Sequence, residues 1–430
     1  ASKALLTDLL RHEMGFTGPV ISDWNNTGSL VNRQFVAAEE REAAFLALDA
    51  GNDVIMTTPS FYEHSLALYK SGKITEQQID ASVSRILTLK FKLGLFDDMR
   101  FGVDDDAHVI GSAEHWETSL NASRQSVILL TNNSVLPLKK LQGKKILLCG
   151  PNADDVYAQL GDWSFGSMQA GTVDNSFHRE DTVTIRDALL QLSSQEDFSL
   201  DYIKGVDCVE SDLDKITAAE LKAEEADIVI FCPGDTLALY GEERDRSDLT
   251  LSGRQMELYC ALRKRSKTLI VCIVASKPLC IPEIKATADA LLYAFNPGAK
   301  GGTAIGEILC GETNPSGRLT ISFPHSTGQI PVHYNKYPGW HSAMPGDQYI
   351  DAPEDPLFCF GEGLSYSQVE YSNLEVLTPI VRDNEPARFA ITLKNSGDMA
   401  TVEIVQLYIR DVVASVTTPL LNLKGFKRIE

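Results

Sequence analysis

The sequence predicts an α/β protein built in three successive parts, and three observations lead to it. The middle of the chain alternates continuous apolar runs, such as Asp227-Ile228-Val229-Ile230-Phe231-Cys232, with helix-patterned stretches. That pattern denotes a mostly parallel sheet covered on both faces. Residues 1–98 read as helix, strand, helix, strand, helix. From about residue 365 the apolar residues fall into period-2 alternation, as in Arg388-Phe389-Ala390-Ile391-Thr392-Leu393, the mark of half-buried strands.

Each element has its own warrant. Residues 5–12 are amphipathic, residues 37–49 are rich in Ala and Glu with a helical period, and residues 76–93 carry one apolar face through Ile79, Val83, Ile86, Leu87 and Leu93. The strands between them are Pro19-Val20-Ile21 and Asn52-Asp53-Val54-Ile55-Met56. Two strand–helix units are a quarter of an eight-fold barrel and cannot close, because strand number and shear are fixed together. Residues 99–119 read as an acidic linker containing Asp104-Asp105-Asp106. Residues 120–350 form the α/β sandwich domain, with strands expected over 145–149, 227–232, 268–274 and 290–295. Ligands of such sheets gather at the carboxyl ends of the strands. In residues 365–430 a second alternating run, Val405-Gln406-Leu407-Tyr408-Ile409-Arg410, follows a turn at Asn395-Ser396-Gly397-Asp398.

Composition narrows the function. The chain has 430 residues, 59 acidic against 39 basic, and a formal charge of −20. That disfavours nucleic acid and anionic membranes and suits a neutral small substrate. The densest basic cluster, Arg263-Lys264-Arg265 with Lys267, reads as a solvated helix end. No run of apolar residues is long enough to span a bilayer. The start, Ala1-Ser2-Lys3-Ala4-Leu5, reads as the approach to a helix, not as a signal peptide. The eight cysteines include no Cys-x-x-Cys, and Cys149, Cys232 and Cys272 sit in strand-like runs as small buried hydrophobes. The eight histidines have no ligand spacing, so neither a metal nor another cofactor is expected.

The most telling stretch is Gly15-Phe16-Thr17-Gly18-Pro19-Val20-Ile21-Ser22-Asp23-Trp24. A buried strand ends abruptly on a carboxylate and an indole. At a barrel strand's tip this is where chemistry is placed, and an Asp beside a Trp suits a sugar. The same residues also read as an Asp helix N-cap after a strand, with Trp24 as a strand-end core indole. Further along come Ala50-Gly51-Asn52-Asp53-Val54-Ile55-Met56, Lys70-Ser71-Gly72-Lys73-Ile74, Gly94-Leu95-Phe96, Ser126-Val127-Ile128-Leu129-Leu130, Leu136-Pro137-Leu138, Gly311-Glu312-Thr313-Asn314-Pro315-Ser316-Gly317-Arg318-Leu319 and Phe360-Gly361-Glu362-Gly363-Leu364-Ser365-Tyr366.

In this order these segments resemble glycoside hydrolase family 3 over residues 5–430, and within it the bacterial periplasmic β-glucosidases. The resemblance implies that residues 1–98 are the C-terminal remnant of a (β/α)8 barrel whose other six strands precede it. It implies that residues 365–430 are part of a fibronectin type III sandwich, which needs roughly 100 residues. The chain is thus expected to be truncated at both ends. The implied activity is that of a retaining exo-acting β-glucosidase on terminal β-D-glucosyl residues, in the periplasm or secreted.

Most glycosidases use two carboxylates. The resemblance assigns Asp23 as nucleophile. It places the acid/base in the loop after Cys232, where Gly241-Glu242-Glu243-Arg244-Asp245-Arg246-Ser247-Asp248-Leu249 matches the family's pattern with Glu242 as the acid. A one-residue shift gives Glu243, and a solvated charged loop explains the same residues without chemistry. Trp24 is expected to pack on the sugar; Gly161-Asp162-Trp163-Ser164 resembles a second cleft loop without a catalytic role. The reaction would retain configuration, with the carboxyl groups roughly 5–5.5 Å apart. In the family the residues gripping the sugar hydroxyls come mainly from earlier barrel strands, so residues 1–430 alone are expected to be weakly active or inactive. Two other readings stand beside this one. One is a β-xylosidase or α-L-arabinofuranosidase of the same family; the other is a non-catalytic carbohydrate-binding or scaffold fragment.

Overall fold

The structure, a computed structural model, describes residues 1–99, 108–164, 167–168, 172–173, 181–209, 215–338, 349–382 and 385–430. Asp104, Asp105 and Asp106 of the acidic stretch lie outside the described residues. The chain divides into two units, Ala1–Val109 and Ile110–Glu430.

The first unit is mostly helical, with helices Ala4–Glu13, Asn26–Asn32, Glu40–Asp49, Phe61–Lys70 and Glu76–Lys92. Ala4–Glu13 is wound wide, and at its end Met14 N–H bonds Leu9 O at 2.9 Å. Glu76–Lys92 begins at a capping box in which Thr75 and Gln78 satisfy each other's backbone N–H groups. Ala44, Leu68 and Ile74 bury a small core between the third, fourth and fifth of these helices. The two predicted strands do not form a regular sheet. They meet in one parallel bridge, Ile21 with Val54, flanked by Ser22 N–H to Val54 O at 2.9 Å and Asp53 N–H to Val20 O at 2.8 Å. The reason is local: Val20 N–H is taken by the Asp53 side chain at 2.8 Å, so it is not available to a neighbouring strand.

The second unit opens with helix Ala113–Ser126, capped by Ser112 and starting inside the stretch read as linker. The six strands of its central sheet follow: β1 (Ile128–Asn132), β2 (Lys145–Cys149), β3 (Ser199–Ile203), β4 (Ile228–Phe231), β5 (Leu269–Ile273) and β6 (Ala290–Tyr293). They form one sheet in the order β1-β6-β5-β4-β2-β3. All neighbours are parallel except β1 with β6. The sheet is therefore mostly parallel, as the apolar runs predict.

Alternation along each strand builds two cores. Leu147, Val229, Phe231, Val271 and Leu291 face helices Ile216–Glu225 and Gln255–Arg265 through Ala219, Ala223, Leu258 and Leu262. Their neighbours Ile146, Leu148, Ile230, Ile270 and Leu292 face helices Ile185–Glu196 and Gly301–Cys310 through Ile185, Leu189, Ile305 and Ile308. Because both faces are covered, these strands read as continuous hydrophobic runs. All eight cysteines are free thiols; Cys149, Cys208, Cys232, Cys272 and Cys280 are buried, and burial pushes the Cys149 thiol up to about 12. The basic helix end is tied down, not loose: Arg263 pairs with Asp289 at 2.7 Å and Arg265 with Glu220 at 2.9 Å.

The C-terminal strands are β7 (Val369–Val376), β8 (Phe389–Asn395), β9 (Glu403–Ile409) and β10 (Asn422–Ile429). They pair as two separate antiparallel ribbons, β7 with β8 and β9 with β10. The Asn395–Asp398 turn thus joins strands of different ribbons.

Helix Gly301–Cys310 crosses Ile185–Glu196 at glycines. A Cβ on Gly302 would stand 2.1 Å from Thr184 O, a backbone atom, whereas one on Gly306 would meet only the side-chain carbons of Leu192 and Ala188 at 3.1 and 3.3 Å. Gly302→Ala is expected to cost about 1–3 kcal/mol through overpacking. Gly306→Ala should cost less, because higher helix propensity offsets the tight fit. Urea midpoints of the two variants check the order.

Candidate active site

The nucleophile candidate sits at the end of the bridged segment. Asp23 is exposed, and its Oδ1 accepts the Trp24 N–H at 2.5 Å. It does not cap a helix: the next helix begins at Asn26 with Asn25 as its N-cap. Trp24 is not a core indole either, since 72 % of it is exposed.

Three residues before Asp23, the backbone at Val20 is held by another carboxylate, Asp53, whose side chain is fully buried. Its Oδ2 accepts from Val20 N–H at 2.8 Å and from Arg11 at 2.7 Å. Its Oδ1 accepts from Ser82 at 2.6 Å and from Arg85 at 2.9 and 2.6 Å. Burial by itself raises the Asp53 pKa, but the hydrogen bonds from Arg85, Ser82 and Val20 outweigh it and hold the carboxyl below its ordinary value. Arg11 also binds Gly18 O at 2.8 Å and Gly51 O at 3.1 Å, tying the approaches of both bridged segments to one guanidinium.

The acid/base candidate lies in the second unit, on the loop after β4. The chain runs from β2 out to the edge at β3 and returns to the other side of β2 as β4. Strand order reverses there, and the loops leaving the carboxyl ends of β2 and β4 flank the switch point where open α/β sheets bind ligands. The β2 loop carries Gly161-Asp162-Trp163-Ser164 and the β4 loop carries Glu242. The structure brings them together: Trp163 Nε1 donates to Glu242 Oε2 at 3.2 Å, and Glu242 N–H donates to Asp162 Oδ2 at 3.2 Å. Glu243 is exposed and has a left-handed backbone, φ 63°.

The β4 loop is closed at its neck. Asp235, fully buried, accepts from Arg246 at 3.1 Å and from Lys277 at 2.6 Å. Arg246 also donates to Thr250 O at 2.9 Å, and Arg244 turns inward to the carbonyls of Leu237 and Tyr240. Gln255 exchanges two hydrogen bonds with the Gly234 backbone, at 2.8 and 2.9 Å. Sequence reasoning singled out Asp23, Trp24, Glu242 and Glu243. It missed the supporting roles of Asp53, Arg11, Arg85, Asp235 and Lys277, and it quoted Asp162 and Trp163 without a role.

Asp23 belongs to the first unit and Glu242 to the second. Among the described residues no group of three or more His, Cys, Asp and Glu side chains could hold a metal ion, and no helix is long and apolar enough to cross a membrane. A wide cleft of about 1550 Å³ lies elsewhere in the second unit, lined by Tyr334, Phe360, Tyr371 and Tyr408 among others, and none of the candidate residues lines it.

Residues 127–366 match the glycosyl hydrolase family 3 C-terminal domain, residues 1–89 the glycosyl hydrolase family 3 N-terminal domain and residues 403–430 a fibronectin type III-like domain. The chain is 34 % identical to a β-xylosidase of Formosa agariphila over 99 % of its own length and 59 % of that protein's. It is 31 % identical to a periplasmic β-glucosidase of Salmonella typhimurium over 99 % of its length and 58 % of that protein's. Among solved structures it resembles a β-glucosidase involved in saponin metabolism from intestinal bacteria, with a TM-score of 0.89 and 36 % identity over 100 % of this chain and 62 % of that one. A β-glucosidase of Listeria innocua in complex with glucose matches with a TM-score of 0.88 at 30 % identity, over 100 % of this chain and 58 % of that one. The chain therefore spans less than two thirds of the length of each of these relatives.

Asp53 carries a pH dependence with a definite sign. Its folded pKa lies below the unfolded one, so its contribution is complete above the unfolded value, about 4, and is lost as pH falls through the folded value. Asp53→Asn should destabilise the first unit by about 3–5 kcal/mol near neutral pH, because it leaves Arg11 and Arg85 short of a buried partner. It should also flatten the loss of stability below pH ~4. Urea unfolding of parent and variant between pH 7 and pH 2 reads both effects.

Proposed function

Because the chain belongs to glycosyl hydrolase family 3, we propose that it carries the two catalytic carboxylates of a retaining, exo-acting β-glycosidase whose substrates are terminal β-D-glucosides. Asp23 is the nucleophile and Glu242 the general acid/base. The observation that carries the reading is the setting of Glu242. An exposed carboxylate, held by a neighbouring loop at the strand-order switch of the sheet, sits where such sheets bind ligands.

In the first step Asp23 attacks the anomeric carbon as Glu242 protonates the glycosidic oxygen, which leaves with the bonding electron pair. In the second step Glu242, now ionised, takes a proton from water as the water displaces Asp23. Two inversions retain configuration. Trp24, exposed beside Asp23, supplies an aromatic face for the sugar.

In this reading residues 1–98 are strand–helix units of a (β/α)8 barrel, and helix Ala113–Ser126 leads into the next domain. Residues 120–350 are the α/β sandwich and residues 365–430 a fibronectin type III-like domain. The hydroxyl grip comes mainly from barrel strands outside this chain. Orientation of that kind is worth roughly 7–11 kcal/mol of barrier in well-oriented systems, so residues 1–430 by themselves should turn over slowly. A periplasmic or secreted location follows the printed name of the Salmonella relative. The Formosa relative favours a second reading in which the sugar is xylose.

Hydrolysis of 4-nitrophenyl β-D-glucoside and β-D-xyloside by the product of the complete gene, and by residues 1–430 alone, decides among these. Asp23→Gly should lower kcat by about 10³-fold or more; equal rates for variant and parent would remove Asp23 from the role. Glu242→Ala should recover turnover with azide and release a β-glycosyl azide, whereas recovery in Glu243→Ala would move the acid/base one residue along. Faster turnover of the xyloside selects the second reading.

A further inference from the structure

The segment Gly161–Ser164 comes from a different part of the sequence, yet it meets Glu242 twice. We propose that Asp162 and Trp163 are the positioning residues of the acid/base: Asp162 fixes the backbone of Glu242, and the Trp163 indole N–H aims its carboxylate. This deepens the acid/base assignment and rests on it.

The two loops are docked at three consecutive residues. Tyr240, 4 % exposed, donates its hydroxyl to Ala158 O at 3.2 Å and Tyr157 O at 3.3 Å, in the helix from which the Gly161–Ser164 segment leaves. At Gly241, with φ 112°, a Cβ would stand 2.3 Å from Asp162 Oδ2. Only glycine permits both that backbone and that approach. At Glu242 the backbone N–H reaches the same Asp162 Oδ2, at 3.2 Å. The Tyr240 hydroxyl, the bare Cα of Gly241 and both the backbone and the side chain of Glu242 thus dock the acid loop onto its neighbour at successive residues.

The donor segment is held in an unusual shape. Trp163 has φ 53°, a left-handed conformation that is strained for a bulky residue and persists only where its surroundings impose it. Ser164 Oγ closes the turn onto Gly161 O at 2.5 Å. Asn296 Nδ2 binds Ala158 O at 2.8 Å, and its side chain lies under Gly161, where a Cβ would come within 3.2 Å of it. This backbone directs the indole so that Nε1 lies 3.2 Å from Glu242 Oε2 while 64 % of Trp163 remains exposed.

The chemistry of the partner matters. An indole N–H donates and cannot accept. It occupies Oε2 without competing for the proton, which leaves Oε1 to carry it. When the glycosidic C–O bond breaks, the proton passes from Oε1 to the departing oxygen, and the second step returns one from water. A Glu on an exposed loop otherwise samples many rotamers; the Trp163 hydrogen bond selects one of them.

The test separates proton delivery from sugar packing. It uses the product of the complete gene and two glucosides: phenyl β-glucoside, whose leaving group needs protonation, and 2,4-dinitrophenyl β-glucoside, whose leaving group does not. Trp163→Phe keeps the ring and loses the N–H. It should lower kcat/KM for the phenyl glucoside about ten-fold, the worth of one hydrogen bond to a charged group, and change the dinitrophenyl glucoside less than about two-fold. Asp162→Ala should show the same split, and Asp162→Asn, which keeps an oxygen for the Glu242 N–H, should lie nearer the parent. Added to Glu242→Ala, Trp163→Phe should cause no further loss. Equal losses on both glucosides, no loss on either, or a loss that persists without Glu242 would overturn the proposal. The reading of Glu242 is checked separately: Glu242→Ala without leaving-group dependence or azide rescue removes the catalytic assignment, whatever Trp163→Phe does.

Discussion

A fully buried aspartate gripped by two cationic side chains recurs in both units of this chain, each time holding the backbone segment that leads to a candidate catalytic carboxylate. Asp53 lies between Arg11 and Arg85, and Asp235 between Arg246 and Lys277. Taking a carboxylate out of water costs several kcal/mol and is offset only where geometry is good and the remaining lone pairs are filled. Such a site tolerates little displacement, so the backbone around it is fixed. Asp53 uses one oxygen to hold Val20 N–H, and Asp23 follows three residues later. Asp235 opens the β4 loop and Arg246 ends it, so the ion pair ties the loop's neck while Glu242 rides on the closed part. Both candidates are exposed groups on constrained backbones, as a catalytic group must be.

Sheet topology then selects which loops can cooperate. β2 and β4 are adjacent strands, paired from Ile146 with Ile228 to Cys149 with Phe231, although 78 residues, 150–227, separate Cys149 from Ile228. Their carboxyl ends release loops side by side. Asn152, at the start of the β2 loop, binds Asp235 O at 2.7 Å at the start of the β4 loop. The loops are thus joined at their base by Asn152 and further out by Tyr240, Asp162 and Trp163. A crevice with two anchored walls is a preorganised one.

The central sheet was legible because burial on both faces writes itself as uninterrupted apolar runs: β2, β4, β5 and β6 fall within the expected stretches. β3 was not, since Ser199-Leu200-Asp201-Tyr202-Ile203 is an edge strand whose Ser199 and Asp201 face solvent. Nor was the pairing of the C-terminal strands, because alternation assigns faces, not partners. Among the candidate residues, Asp23 stood out at a strand tip, and Glu242 through the likeness of its loop to the family's pattern. The side chains that hold them did not. Asp53 sits 33 residues from Val20, and Asp162 and Trp163 sit 80 and 79 residues from Glu242. Contacts made only by the fold leave no spacing in one sequence.

The run Glu242-Glu243-Arg244-Asp245-Arg246 also reads, as sequence, as a solvated charged loop, in which acids and bases would neutralise one another in water. The folded loop sorts them by direction. Arg244 is spent on the carbonyls of Leu237 and Tyr240, and Arg246, only 15 % exposed, on Asp235 and Thr250. Glu242, Glu243 and Asp245 face outward. The cations are struts of the loop and not partners of its acids, so the outward carboxylates are not drawn into ion pairs with them. Of these acids, Glu242 receives the indole N–H, a neutral donor that orients a carboxylate without adding a full positive charge to it. The acid/base role proposed for Glu242, which asks it to give up and recover a proton, suits that kind of partner, because a guanidinium in the same place would favour the ionised form throughout.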